Sequence, residues 1–246
     1  MRLIADTHTH TLASTHAYSS LQEMVAAARR AGLYAIAITD HGPNMPGAPG
    51  AWYFGNLTEV PNLLEGALVL RGIEANVVDE SGRLDEPEAN LRKLDWIVAS
   101  MHDVTYFGTK SVEACTEAWL SVAKNPLVRV IGHSGSELFR YDYEAVIPVF
   151  GQNGKLVEIN EHTFVARRDS VPNCKKIALV CKKHGVPIVI NSDAHFSTQV
   201  GSCSNAAAML REIDFPEELV LNASKERFDA YLKQYTRVYQ SIQENG

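Results

Sequence analysis

The sequence predicts one α/β domain of seven parallel strands, with a closed barrel favoured over an open, doubly wound sheet. Three observations carry this reading. Short apolar runs recur along all 246 residues, and stretches of helical period fill the intervals between them. No Gly-x-Gly-x-x-Gly phosphate loop marks an open, doubly wound sheet. Single barrels often reach this length, and no linker, low-complexity tract or repeat divides the chain, so one domain is expected over 1–246.

The elements follow in order. The first strand is expected at 3–6. Leu21, Met24, Val25 and Ala28 then repeat at i, i+3, i+4 and i+7, and Gly32 stops that helix. A second strand at 34–39 leads into 42–55, rich in Gly and Pro and holding Trp52, Tyr53 and Phe54, which suits either a lid or a rigid Ω-loop. The third strand, 68–73, runs on to Val78, turns at Asp79-Glu80-Ser81-Gly82 and returns through Arg83 and Leu84 as a hairpin extension. The fourth, at 96–100, precedes a helix with the stripe Val112, Cys115, Trp119 and Val122. Strands at 128–132 and 156–160 follow, then the stripe Val171, Cys174, Ala178 and Cys181 and a seventh strand at 187–191. Residues 224–239 form a terminal helix with Ser224 as N-cap.

Composition narrows the class. With 46% hydrophobic and 21% charged residues the chain is neither disordered, collagen-like nor a coiled coil. A net charge of -6, from 29 acids and 23 bases, offers no broad footprint for nucleic acid. No run of 18 apolar residues spans a membrane, and the start MRLIADTHTH lacks a secretory apolar stretch, so a cytoplasmic protein is expected. The four cysteines show no CxxC spacing and read as reduced thiols. A homo-oligomer is compatible with the sequence and not set by it.

The nine histidines carry the functional reading. His8 and His10 follow the first expected strand, His41 the second, His102 the fourth, His133 the fifth and His195 the seventh, while His16 lies just past His10. Glu74 takes the same place after the third strand, and Asp193 stands two residues before His195. In an α/β barrel these strand ends converge on one face, where active sites sit. Imidazole is the commonest metal ligand, and seven rings with two carboxylates exceed a single site of about four ligands. Two or three divalent ions are therefore expected. Glu74 is the expected bridge, since a carboxylate can give one oxygen to each of two ions. His162 and His184 fall outside the pattern; His184 lies near a helix C-terminus, where a cation is favoured.

These motifs resemble the PHP (polymerase and histidinol phosphatase) family. Asp6-Thr7-His8-Thr9-His10 is similar to its first motif, Ile38-Thr39-Asp40-His41 to its second and Arg71-Gly72-Ile73-Glu74 to its third. His102, His133 and Asn191-Ser192-Asp193-Ala194-His195 complete the pattern. Residues 13–19 and 39–43 look especially like the YcdX-type branch of phosphatases. The resemblance implies a seven-stranded PHP barrel with three divalent ions, often zinc, with manganese or iron as alternatives. It places His8, His10, Glu74 and Asp193 on one ion, His16, His41 and His195 on a second, and Glu74, His102 and His133 on a third. One departure is Gly132-His133-Ser134, where many relatives have His-Pro, which is expected to loosen that loop.

The activity implied is hydrolysis of a small phosphorylated substrate by metal-activated hydroxide, with Asp193 orienting or deprotonating the water. Asp40 and His16 are the candidates for protonating the leaving group, and Asp40 has the alternative role of fixing a ligand ring. Arg140, Arg167 and Arg168 are candidates for gripping phosphate. The same ligands would also serve an amidohydrolase-like enzyme cleaving C-N or C-O bonds, a nuclease, or a metal-binding scaffold without catalysis. The net charge argues against the nuclease, and the complete ligand set against the scaffold.

Overall fold

The computed structural model describes residues 1–244. Its strands are β1 (Ala5–Asp6), β2 (Ala35–Ile38), β3 (Leu63–Leu64), β4 (Ala67–Asn76), β5 (Trp96–Ser100), β6 (Val130–Ile131), β7 (Leu156–Asn160) and β8 (Ile188–Asn191). Seven pair in parallel in the order β1-β2-β4-β5-β6-β7-β8, so the expected nearly closed barrel is present. The added strand is β3, which folds back antiparallel on β4, with Leu64 opposite Ala67 across the Glu65-Gly66 turn. It had no signal of its own, being too short to show alternation.

The helices are α1 (Leu21–Arg30), α2 (Ala51–Asn56), α3 (Glu88–Leu91), α4 (Val112–Lys124), α5 (Tyr143–Gln152), α6 (Thr163–Ala166), α7 (Val171–His184), α8 (Ser204–Glu212), α9 (Lys225–Tyr235) and α10 (Val238–Glu244). Local chemistry sets several ends. Ser20 and Glu23 form a capping box that opens α1. Gly185 takes a left-handed conformation that closes α7. Ser224 caps α9 as expected, but the helix stops at Tyr235, because Thr236 is extended and turns the chain into α10. The expected hairpin extension is present: Val77 bridges Leu84, and Val78 N–H donates to the Arg83 carbonyl at 2.9 Å.

Alternate strand residues face the barrel axis, and their polarity changes along it. Ala35, Ala37, Leu68, Leu70, Trp96, Val98, Val130, Leu156 and Val189 form one buried cluster, which Phe228, Tyr231 and Leu232 of α9 close from the N-terminal end. Higher on the same inward rows stand Glu74 and Asn76 of β4, Ser100 of β5, Glu158 and Asn160 of β7 and Asn191 of β8, all buried. One end of the barrel is thus an apolar plug and the other a polar floor. Gly72 lies at the change-over, where a Cβ would sit 2.5 Å from the Trp96 carbonyl oxygen. Outward residues pack on the helices: Cys115, Trp119, Cys174 and Cys181 belong to the large outer core, and all four cysteines are buried and free.

No ladder joins β1 to β8 among the described residues. Asn222 closes this seam with its side-chain amide. Its Nδ2 donates to the Ala5 carbonyl at 2.9 Å and the Ile190 carbonyl at 2.6 Å, and its Oδ1 accepts from Ile190 N–H at 3.1 Å. The side chain thus replaces a peptide group. Asn222→Leu should destabilise the fold by about 2 kcal/mol or more, because buried backbone groups lose their partners. A thermal melt of the variant checks this, and an unchanged midpoint would refute the stapling role.

Candidate metal centre

Every strand-end residue expected at the barrel mouth arrives there. His8 and His10 follow β1, His41 follows β2, Glu74 lies in β4, His102 follows β5, His133 follows β6, and Asp193 and His195 follow β8. His16 comes back over them from the loop after β1, with its Nε2 3.0 Å from Nε2 of His41. His133 and Asp193 have positive φ, 24° and 56°, a conformation that disfavours β-carbon-bearing residues and is often retained at functional sites.

Glu74 stands at the middle, only 1% exposed. Its two oxygens divide the rings between them. Oε1 lies 3.3 Å from His8 Nε2, 3.4 Å from His102 Nε2 and 2.8 Å from His133 Nε2. Oε2 lies 2.6 Å from His41 Nδ1 and 3.6 Å from His10 Nε2. Asp193 Oδ1 is 3.0 Å from His10 Nε2 and 3.6 Å from His8 Nε2. Three donor triplets result: His8, His10 and Asp193; His10, His41 and His195; and His41, Glu74 and His102, each with its donor atoms within 4.8 Å of one another.

These residues fit metal ions. His8 Nε2, His10 Nδ1, His41 Nδ1 and Glu74 Oε2 are buried with no hydrogen-bond partner. Orphaned buried polar atoms are costly, and four in one cluster indicate missing ligand bonds. The 2.6 Å approach of His41 Nδ1 to Glu74 Oε2 lacks hydrogen-bond geometry, as expected of two donors aimed at a common ion.

The electrostatics agree. Burial works to raise the Glu74 and Asp193 carboxyls, but the facing histidines override it and hold both well below the usual range. Burial lowers His10, with His41 adding to the effect, and it brings His133 to about 4. Those two rings are thus neutral near pH 7, the form that binds metal. His8 behaves oppositely: burial would lower it, yet Glu158, Glu74 and Asp193 raise it well above the ordinary value. That corner is negative enough to hold a cation of some kind.

A layer of polar residues fixes the ligands, and most of it was not anticipated from sequence. Glu158 accepts from His8 Nδ1 and from His133 N–H, both at 2.8 Å. Asn76 holds His102 Nδ1 at 2.8 Å. Asn160 donates to Asp193 Oδ2 at 3.1 Å, and the His195 ring meets the Asp193 carbonyl at 2.9 Å. A signal existed: Leu156, Glu158 and Asn160 share one face of a buried strand, where a carboxylate is out of place without a partner.

Several expectations are corrected. Arg140 is exposed and sits 4.0 Å from Glu137, and Arg168 is exposed in a turn preceding α7; neither lines the pocket. Only Arg167 reaches it, with Nη2 3.2 Å from Asp193 Oδ2. His162 lies outside the ligand pattern but close after β7, and it lines the same pocket and stacks on His195 with centroids 5.5 Å apart. His184 keeps its expected place at the end of α7, beside Glu144 at 3.3 Å.

Among the described residues no hydrogen bond joins Asp40 to a candidate ligand ring. Its carboxylate accepts from Thr11 N–H, Thr11 Oγ1, Ser14 Oγ and Tyr53 Oη at 2.7–2.8 Å and is fully buried. Tyr53 belongs to the 42–55 segment, whose end from Ala51 onward is helix α2 rather than irregular chain. Gly42 N–H donates to Glu74 O at 2.8 Å and Asn44 N–H to Asp85 at 2.9 Å, so the segment is tied down at several points. The loop after β6 is also held despite its missing proline, by His133 N–H on Glu158 and Ser134 Oγ 3.1 Å from Tyr141 Oη.

The mouth is a cavity of about 290 Å³ lined by His16, His41, Met45, Glu74, His162 and Arg167 among others. Fold and site together define an α/β barrel with a metal-binding histidine and carboxylate centre at its strand C-terminal ends. The chain belongs to the PHP domain family, whose model matches residues 6–162. It is 49% identical to a probable phosphatase of Acetivibrio thermocellus over 95% of this chain and 96% of that one. It is 46% identical to a probable phosphatase of Caldanaerobacter subterraneus subsp. tengcongensis, over 95% and 92%. Its fold is similar to the histidinol phosphate phosphatase of Lactococcus lactis, solved with zinc, L-histidinol and phosphate. The TM-score is 0.63 at 19% identity, covering 88% of this chain and 95% of that chain.

Proposed function

We propose that the chain, acting as one domain over 1–246, is a metal-dependent phosphatase of small phosphorylated substrates. The observation that carries this is Glu74, whose two oxygens face separate sets of rings as a bridging carboxylate would. Three ions are proposed. His8, His10 and Asp193 would hold the first, His16, His41 and His195 the second, and His102 and His133 the third, with Glu74 shared. Zinc is the first choice for such N/O donors, with manganese and iron as alternatives. When bound, such ions supply Lewis acidity and a hydroxide at neutral pH.

The chain's own groups do the remaining work. Asp193, fixed by Asn160 and Arg167, orients the attacking water and accepts its proton. Arg167, half-buried at the rim, presents its guanidinium to a phosphoryl group. His16, at the mouth beside His41 and His195, would protonate the leaving group only in place of its role as a ligand to the second ion. Asp40 serves as a positioning residue that ties the loop carrying His16 to the barrel. Four buried free thiols suit a reducing cytoplasm, and no helix among the described residues is long and apolar enough to cross a membrane.

The test is metal analysis followed by assay of a generic aryl phosphate beside matched amide and ester substrates. Phosphatase activity should vanish on chelation and return with zinc or manganese. Arg167→Ala should raise KM about tenfold or more, as expected for loss of a charged contact to phosphate. Cleavage confined to the amide would overturn the reading in favour of amidohydrolase chemistry.

A further inference from the structure

A cavity of about 850 Å³ lies at the other end of the barrel, much larger than the catalytic pocket. One wall is the chain entering β5 and β6, with Leu94, Asp95, Leu127 and Arg129, and the other is the turn from α9 to α10, with Tyr235 and Arg237. Its size is in the range that holds a small molecule.

The charges in it are unbalanced. Five basic side chains, Arg71, Arg92, Lys93, Arg129 and Arg237, face two carboxylates, Glu59 and Asp95. Asp95 is already engaged by Arg71, through contacts of 2.8 and 3.1 Å, and Arg92 pairs with Glu88. Lys93, Arg129 and Arg237 then oppose Glu59 alone, and none of the three has an ion pair among the described residues.

Arg129 is the decisive group. Its Nη1 donates to the Pro126 carbonyl at 2.7 Å, but its buried Nε has no acceptor. The guanidinium lies 5.8 Å from the Tyr235 ring centroid, and both residues line the cavity. Burial lowers its pKa, which expresses the cost of keeping this cation without a counter-charge. Lys155, its ammonium held by the Asn125 and Val128 carbonyls at 2.6 and 3.0 Å, adds positive potential behind it. Planar guanidinium groups match the oxygen pairs of phosphate, and the Gln240 side chain on the same wall suits a neighbouring hydroxyl.

We propose that this cavity is a second, non-catalytic site that binds a small phosphorylated metabolite through Arg129 and Arg237. The binding is independent of the metal centre and of the reading of its chemistry.

The test is calorimetric titration of the metal-loaded enzyme with inorganic phosphate. Two classes of site are expected, one of which survives metal removal and weakens as NaCl rises. The double variant Arg129→Gln, Arg237→Gln should weaken that class about tenfold or more while aryl phosphate turnover stays unchanged. Arg237→Gln alone, at an exposed position that cannot endanger folding, should weaken it measurably. A single class in the wild-type protein, loss of both classes with the metal, or unaltered phosphate binding in the variants would overturn the proposal.

Discussion

Glu74→Gln is expected to release metal and to lower phosphatase turnover by about a thousandfold or more, some 4 kcal/mol of transition-state stabilisation. The amide keeps the size of the carboxylate but loses its charge and the lone pairs on one of its two donor atoms. Five imidazole nitrogens lie within 3.6 Å of those two atoms, so one change disturbs each proposed ion position that Glu74 touches. Metal content of the purified variant should fall by more than one equivalent relative to wild type. Melting after exhaustive chelation separates this from misfolding: the metal-free variant should still unfold in one cooperative transition, at a somewhat lower midpoint because the carboxylate that the histidines hold ionised is gone. Retention of full metal content and turnover would remove Glu74 from the bridging role.

Asp193→Asn should act on turnover more than on metal content. We expect kcat to fall by about 10²–10⁴-fold, the usual range for losing a positioned proton acceptor. Asparagine tolerates the positive φ of 56° at this position, so the backbone should be preserved. The contact from Asn160 Nδ2 can be kept by the amide oxygen, whereas the ion pair with Arg167 is lost. KM should therefore change less than kcat unless Arg167, released from Asp193, moves away from the pocket. Full turnover in this variant would show that the water is activated elsewhere.

The two variants separate a structural anion from a chemical one. Both carboxylates are buried and held ionised by neighbouring imidazoles. They differ in partners: Glu74 is enclosed by five rings, whereas Asp193 has one oxygen on His10 and the other on Arg167 and Asn160.

The sequence by itself determined the barrel and which side chains gather at its mouth. Strand ends in a (β/α) barrel converge on one face whatever their exact bounds, so His8, His10, His41, Glu74, His102, His133, Asp193 and His195 could be assigned to one site from order along the chain alone. Errors of one to three residues, as where the expected strand at 128–132 is only Val130–Ile131, did not change that assignment. What lay off the strand ends was decided only by tertiary structure. Arg167 and Arg168 are adjacent in sequence, but the turn after α6 sends the first to Asp193 and the second to solvent. His162 reaches His195 because the chain after β7 bends straight into α6 over the mouth. Asn222 reaches the β1–β8 seam across more than thirty residues from Ile190. Loop direction and long-range hydrogen bonding depend on packing between distant segments, which no local pattern of residues encodes. Topology fixed where the candidate metal ligands go, and packing fixed which neighbours orient them.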